Sequence, residues 1–186
     1  MFTLENCRLR LMNSADLPVV LSWRNSDRIR RMMYTDHRIS LEEHRAWFAR
    51  AEYTSSSRHL IFEYESRPVG VVNVTAIDEL NRRCHWGFYL GETDLPKGCG
   101  TAMGVLALDY MFNELGMNKV VGEVLTHNEQ SLKYHVRLGF VEEGRLSQHV
   151  LRAGQFEDVI QLAHFADRWR QTKEAMMSIF AQEIIA

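Results

Sequence analysis

The chain has 186 residues, 46% of them apolar and 25% charged, with 22 Lys and Arg against 24 Asp and Glu for a formal charge of −2 at pH 7. One domain with a buried core is the expectation at this length, and a near-neutral chain with no basic block argues against nucleic acid as its main partner. Neither a membrane span nor a signal peptide is expected, and three widely spaced cysteines, Cys7, Cys84 and Cys99, suggest neither a disulfide framework nor a metal site and fit a cytoplasmic protein.

In chain order, Phe2 to Met12 reads as a strand, with Leu4, Leu9 and Leu11 alternating imperfectly with polar residues. Ser14 is the expected cap of a helix through Leu17, Val20, Leu21 and Trp23, and a short helix is expected over Asp27 to Met33. Ser40-Leu41-Glu42-Glu43 has capping-box form before a helix carrying His44, Trp47 and Phe48. His59 to Glu65, Val69 to Ile77 and Arg83 to Leu90 read as three strands. A loop, Gly91 to Gly98, leads into an apolar helix, Thr101 to Leu115, ended by Gly116. Then come a strand, Val120 to Leu125, a helix, Glu129 to Leu138, a long hairpin of Phe140 to Leu151 and Phe156 to Phe165, and an amphipathic helix, Ala166 to Ile185, with Trp169, Met176, Phe180 and Ile184 near one face. A meander followed by a β-α-β-α portion predicts a mixed α+β sheet.

Two segments carry chemistry. Lys97-Gly98-Cys99-Gly100-Thr101-Ala102 precedes the apolar helix, and Asn128-Glu129-Gln130-Ser131 opens the later one, which Gly139-Phe140 closes. Glycines at a helix start let an anion approach unpaired N–H groups at the positive dipole end. The loop is neither a Walker loop nor a dinucleotide fingerprint, and by itself it fits a plain strand-to-helix turn equally well. Asn128 is a natural helix cap that can also hydrogen-bond a ligand amide, and Ser131 faces the same helix end.

In this order and spacing the two segments resemble the GCN5-related N-acetyltransferase (GNAT) family. The first pattern stands as Lys97-x-x-Gly100-x-Ala102, with lysine in place of the usual Gln or Arg. The second stands as Asn128, Ser131, His135, Gly139-Phe140, with histidine where a tyrosine is usual. The resemblance implies the GNAT fold: a mixed, mostly antiparallel seven-stranded sheet with helices on both faces and a splayed cofactor cleft. It implies acetyl-coenzyme A as cosubstrate, with no metal. The pyrophosphate would lie on the backbone of Gly98, Cys99, Gly100, Thr101 and Ala102, beside Lys97, and the pantetheine would pair with the strand ending Tyr89-Leu90. Residues 1–165 would form the catalytic domain, with 166–186 a helix packed on it or at a subunit interface, as in a possible homodimer.

Thioester-to-amine transfer needs a neutral amine, an oxyanion donor and a proton for the departing thiolate. For that last role the family position is His135, with Tyr134 one residue earlier and about 100° around the helix. A protonated imidazole is the favoured expectation. Asn73 and Thr75 share a strand face and are candidates to orient a water or the amine, while Glu63, Asp78 and His85 are further candidates for the base that the sequence does not rank. Cys99 sits in the pyrophosphate loop, so direct transfer in a ternary complex is expected rather than an acyl-enzyme.

The acceptor side is expected within the first fifty residues. Arg24, Asn25, Met33, Tyr34, His44 and Trp47, with Tyr89, combine aromatic faces and a guanidinium suited to a nucleobase and its phosphates. The Trp23-Arg24-Asn25, Met33-Tyr34 and His44-x-x-Trp47-Phe48 elements resemble the GNAT branch that acetylates the 4-amino group of a UDP-linked amino sugar, UDP-4-amino-4,6-dideoxy-N-acetyl-β-L-altrosamine, on the way to pseudaminic acid and flagellin glycosylation. Protein N-terminal acetylation of the ribosomal-protein type, polyamine acetylation and a non-catalytic acyl-coenzyme A sensor are the alternatives.

Overall fold

The computed structural model describes residues 2–182. Its seven strands form one sheet in the order β1-β2-β3-β4-β5-β7-β6. The strands are β1 (Cys7–Leu11), β2 (Arg58–Tyr64), β3 (Arg67–Asp78), β4 (Arg83–Leu90), β5 (Lys119–Leu125), β6 (Val141–Arg152) and β7 (Gln155–Phe165). Every neighbouring pair is antiparallel except β4 and β5. That parallel pair is joined by a crossover helix, α4 (Cys99–Asp109).

Helices cover both faces, so the central strands are apolar on both sides rather than alternating. Phe62, Val72, Val74 and Trp86 pack with Ala102, Met103 and Leu108 of α4 and with Trp169 and Phe180 of α6 (Ala166–Gln182). The intervening residues Ile61 and Val71 face the other way, onto Val20 and Trp23 of α1 (Leu17–Asn25), Ile29 of α2 (Asp27–Arg30) and Phe48 of α3 (Leu41–Glu52). The remaining helix, α5 (Glu129–Arg137), follows β5.

Several boundaries differ from expectation for identifiable reasons. The first strand begins at Cys7 because Leu4–Asn6 takes a 3₁₀ turn. Asn13, not Ser14, caps the next segment: its side chain accepts from the Ala15 amide at 2.9 Å while Asp16 accepts from the Asn13 amide at 2.9 Å. The helix expected to Met33 stops at Arg30. Helix α4 starts at Cys99, earlier than expected, because Gly98 turns the chain at φ +104°, and it passes into a π turn over Tyr110–Glu114. Ser40 caps α3 as read, accepting from the Glu43 amide at 3.1 Å. The expected continuation of the last helix through Ile184 and Ile185 lies outside the described residues.

One feature of the sheet positions the site. β4 and β5 are paired only from Arg83↔Lys119 to Trp86↔Gly122. Beyond that rung β4 follows β3 to Leu90 and β5 follows β7 to Leu125. The sheet therefore forks. Among the described residues no group of His, Cys, Asp and Glu could hold a metal ion, and no helix is long and apolar enough to cross a membrane.

Candidate active site

The fork opens a cleft of about 1150 Å³. Residue alternation along β4 divides its lining. Trp86, Phe88 and Leu90 look toward α4 and α5, whereas His85, Gly87 and Tyr89 look toward α1 and α2. The first half is the side expected to take the carrier, the second the side expected to take the acceptor.

On the carrier side the start of α4 is held rigidly. A side chain on Gly98 would come within 3.0 Å of the Phe2 ring, and its positive φ already excludes most residues. The Cys99 amide donates to Pro96 O at 3.2 Å and the Ala102 amide to Gly98 O at 2.9 Å. The Gly100 and Thr101 amides are the first-turn donors left to meet an anion. Gly100 lines the cleft; Lys97 is exposed beside the loop; Cys99 and Ala102 are buried, so only their backbone is available to a ligand. Burial pushes the Cys99 thiol up to about 11, which leaves it a thiol rather than a nucleophile at neutral pH. Asn128 caps α5, its Oδ1 accepting from the Ser131 amide at 3.1 Å, and both residues line the cleft.

Tyr134 ties the two helices together. Its hydroxyl donates to Gly100 O at 2.5 Å. A Cβ on Gly104 would stand 2.5 Å from that hydroxyl and 2.7 Å from Leu138, so the glycine is what admits the ring. Desolvation raises the phenol's pKa, and its proton is already engaged.

His135 lies at the apex of the fork, 2% exposed, with its ring 5.4 Å from Trp86, 5.5 Å from Phe88 and 4.9 Å from Phe140. Burial lowers its pKa to about 4, against a smaller opposing effect of the Ser131 carbonyl. The imidazole is therefore neutral at pH 7, which corrects the expectation of a protonated donor. Nδ1 lies 2.8 Å from Ser131 O, so that nitrogen carries the proton, and Nε2 is an acceptor buried without a partner. It points at Gly122: a Cβ there would lie 2.6 Å from Nε2 and 3.1 Å from the similarly unpartnered Trp86 Nε1.

The acceptor side gathers residues from distant parts of the chain. Glu123 is the first β5 residue past the last β4–β5 rung. Its Oε2 accepts from the Tyr34 hydroxyl at 2.9 Å, and its Oε1 is 3.7 Å from His85 Nδ1. Asn73 and Thr75 do share a face, opposite Gly87 and His85, and both line the cleft. Arg24 reaches in from α1, with Nη2 donating to Thr35 O at 2.8 Å and Nη1 buried without a partner. Burial lowers its pKa, though an arginine remains charged. Met33, Tyr34 and Tyr89 complete this wall, and enclosure raises the Tyr89 pKa.

Three residues expected on this wall stand behind it. Asn25 spends both ends of its amide on Ile39, at 2.8 Å each, pinning the loop after α2. His44 and Trp47 stack on one another at 5.2 Å within α3 and do not line the cleft. Among the other base candidates, Glu63 is taken by Arg8 and Arg10 at 2.5 and 2.6 Å, and Asp78 accepts from Asn81 in a turn; neither lines the cleft. Sequence reasoning missed Glu123, although a charged residue inside the apolar run Val120–Leu125 was a usable signal. It also missed Arg28, whose Nη2 donates to Leu90 O and Gly91 O at 3.0 and 2.7 Å.

A forked sheet with a glycine-turned helix start on one side and a polar wall on the other defines an acyl-carrier transferase. The family description "Acetyltransferase (GNAT) domain" matches residues 6–141, and the chain belongs to that family. It is an acetyl-coenzyme A-dependent N-acetyltransferase. It is similar to the spermidine N(1)-acetyltransferase of Escherichia coli K12, 24% identical over 165 residues and 89% of each chain. It is also similar to the acetyltransferase PseH of Campylobacter jejuni strain 81-176, 26% identical over 124 residues, 67% of this chain and 76% of that one. A crystal structure of spermidine N-acetyltransferase from Vibrio cholerae, in complex with CoA and spermine, shares the fold with a TM-score of 0.83 at 20% identity, covering 89% of this chain and 99% of that one.

Proposed function

We propose that the enzyme acetylates the primary amine of an anionic small molecule, a nucleotide-linked 4-amino sugar of the pseudaminic acid pathway, by direct transfer in a ternary complex in the cytoplasm. The observation that carries the reading is Arg24: a guanidinium lining the acceptor wall, tied only to Thr35 O and, among the described residues, with no carboxylate partner. An acceptor that supplies a phosphate or carboxylate satisfies it. A polycation placed ~5 Å away meets instead a repulsion of about 3 kcal/mol at an effective dielectric near 20. Arg28 is a second guanidinium lining this side of the cleft. Three buried free thiols fit a reducing compartment.

In this reading Glu123 is the base. It takes a proton from the arriving ammonium, and Tyr34 holds its second oxygen in place. The neutral nitrogen attacks the thioester carbon lying in the fork. A backbone amide near Leu90 on the unpaired edge of β4 stabilises the oxyanion. The carbon–nitrogen bond forms, the nitrogen's second proton passes through solvent to the departing sulfur, the carbon–sulfur bond breaks, and coenzyme A, with a thiol pKa of about 8.5, leaves without needing a side-chain acid. His135 shapes the apex and Tyr134 holds the loop to α5.

Polyamine acetylation is the second reading, favoured by the breadth of the match to the spermidine enzyme and by the carboxylates of Glu92 and Glu123 in the cleft. Thiol release measured in parallel with the UDP-4-amino sugar, spermidine and a ribosomal N-terminal peptide separates the readings. Turnover with the nucleotide sugar at a kcat/KM at least tenfold above the others is expected; preferential turnover of spermidine or peptide overturns the acceptor assignment. Tight acetyl-coenzyme A binding with no turnover of any amine overturns catalysis itself.

A further inference from the structure

Behind the acceptor wall lies a half-buried histidine that the mechanism above does not use. His59 on β2 stands across from Asn73 on β3, and its Nδ1 is 2.7 Å from Asn73 Oδ1. The Trp47 ring meets the imidazole edge-on at 4.8 Å, and His44 stacks on Trp47. His59 does not line the cleft; Asn73 does. Burial lowers the imidazole's pKa, against the Asn73 bond, which raises it. A neutral ring facing a carbonyl oxygen must carry its proton on Nδ1. The Asn73 oxygen is then occupied, and its NH₂ has no acceptor among the described residues. Directly across on β4 is Gly87, where an added Cβ would meet nothing within 4 Å. The strand pair thus leaves open space beside a free amide donor on the acceptor wall.

We infer that His59 is a positioning residue which fixes the Asn73 side chain as a hydrogen-bond donor to a carbonyl or hydroxyl of the acceptor, seated over Gly87. An asparagine amide is symmetrical enough in shape to flip by 180°, and its neighbours decide which end faces a ligand. His59 makes that choice here, and the packing of Trp47 keeps the ring in line. This rests on the assignment of the Asn73 face to the acceptor but not on which amine the enzyme prefers.

The test uses the full-length enzyme with whichever amine it turns over. His59→Leu removes the Nδ1 donor. It should raise KM for the acceptor about tenfold, the scale of one hydrogen bond, with KM for acetyl-coenzyme A within about twofold. His59→Asn retains a donor at the Nδ1 position and should restore most of the loss, although its smaller side chain packs less well against Trp47. Gly87→Val sets a Cβ where no protein atom lies within 4 Å, takes up space over Asn73, and should raise the same KM by at least as much. Nitrogen NMR of the free enzyme reads the tautomer directly and needs no turnover, so it stands even if the acceptor class is wrong. A proton on Nδ1 is expected. A proton on Nε2, an unchanged acceptor KM in His59→Leu, a failure of His59→Asn to restore it, or a Gly87→Val enzyme with unaltered acceptor KM overturns the inference.

Discussion

The two sides of the fork are built by different means. The carrier side uses main chain: the first turn of α4 beyond Gly98, the capped start of α5, and one hydroxyl, that of Tyr134, joining them at Gly100 O. These parts come from residues 98–135, and the adjoining strand edge from β4. The acceptor side uses side chains, with Arg24 from α1, Tyr34 from the loop after α2, Asn73 and Thr75 from β3, His85 from β4 and Glu123 from β5. Its central hydrogen bond joins residues 89 positions apart. The contrast follows from the ligands. A phosphorylated carrier presents the same anionic and amide groups in every turnover, and helix-start amides and a strand edge suffice for those. An acceptor is distinguished by where its amine, anion and hydroxyls lie, and only side chains can be placed that specifically.

If the division is correct, mutations on one side should leave the other side's constants alone. The largest effect is expected at Glu123. Glu123→Gln keeps a partner for Tyr34 but cannot accept a proton, so kcat should fall at least about a hundredfold, while calorimetry finds acetyl-coenzyme A binding within about twofold of the parent. Equal loss of carrier affinity would break the division. Arg24→Ala comes next. KM for an anionic acceptor should rise about tenfold or more and kcat should change less, because the lost contact is to the body of the substrate and not the reacting atoms. The converse, a lowered KM for spermidine, would show that the guanidinium acts by repulsion and would sharpen the same comparison.

The same contrast explains what was readable in the sequence. Gly98, Gly100, Asn128 and Ser131 sit at short fixed spacings beside helix starts, and local backbone chemistry is what a linear pattern encodes. The strands were legible too, β3 for instance from its β-branched run Val69 to Ile77, while the seven-stranded arrangement followed from the family resemblance. The acceptor wall was legible only in part. Arg24, Met33 and Tyr34 reach the cleft, but Asn25, His44 and Trp47, chosen for the same aromatic and polar character, turn away to pin a loop or fill α3. Which face of a short helix looks inward depends on packing against a sheet formed by later residues. The pairing of Tyr34 with Glu123 is invisible until β5 is placed beside the fork. The enclosure of His135 was hidden for a related reason: Trp86 and Phe88, which pack against its ring, lie far away in the chain.

A smaller effect is expected where the two helices of the carrier side are joined. Tyr134→Phe removes the hydrogen bond to Gly100 O while keeping the ring against Phe88. The expected cost is about 1 kcal/mol of stability, or a fall of roughly 2–4 °C in Tm at this chain length, with acetyl-coenzyme A affinity weakened a few-fold. A hundredfold loss of kcat without a change in Tm would instead return Tyr134 to the role of acid.

The smallest catalytic effect is expected at His135, and its charge should be visible in stability instead. With a pKa near 4 the imidazole has no proton to give at pH 7, so His135→Leu should change kcat by less than about threefold there. The sign of the linkage follows from the depressed pKa. Above about 6.5, the unfolded value, histidine is neutral in both states and its preference for the buried neutral form contributes fully. Between about 6.5 and 4 the unfolded chain binds a proton that the folded one excludes, and stability falls as the pH drops, by about 3 kcal/mol at most for this group. His135→Leu has no such proton, so its Tm should decline less steeply over that window and approach or cross that of the parent near pH 4. His164, buried and lowered to about 4 as well, remains in the variant and keeps part of the slope. A kcat that collapses in His135→Leu, with an unchanged slope of stability against pH, would put a proton on this ring that its surroundings, as they stand, do not allow.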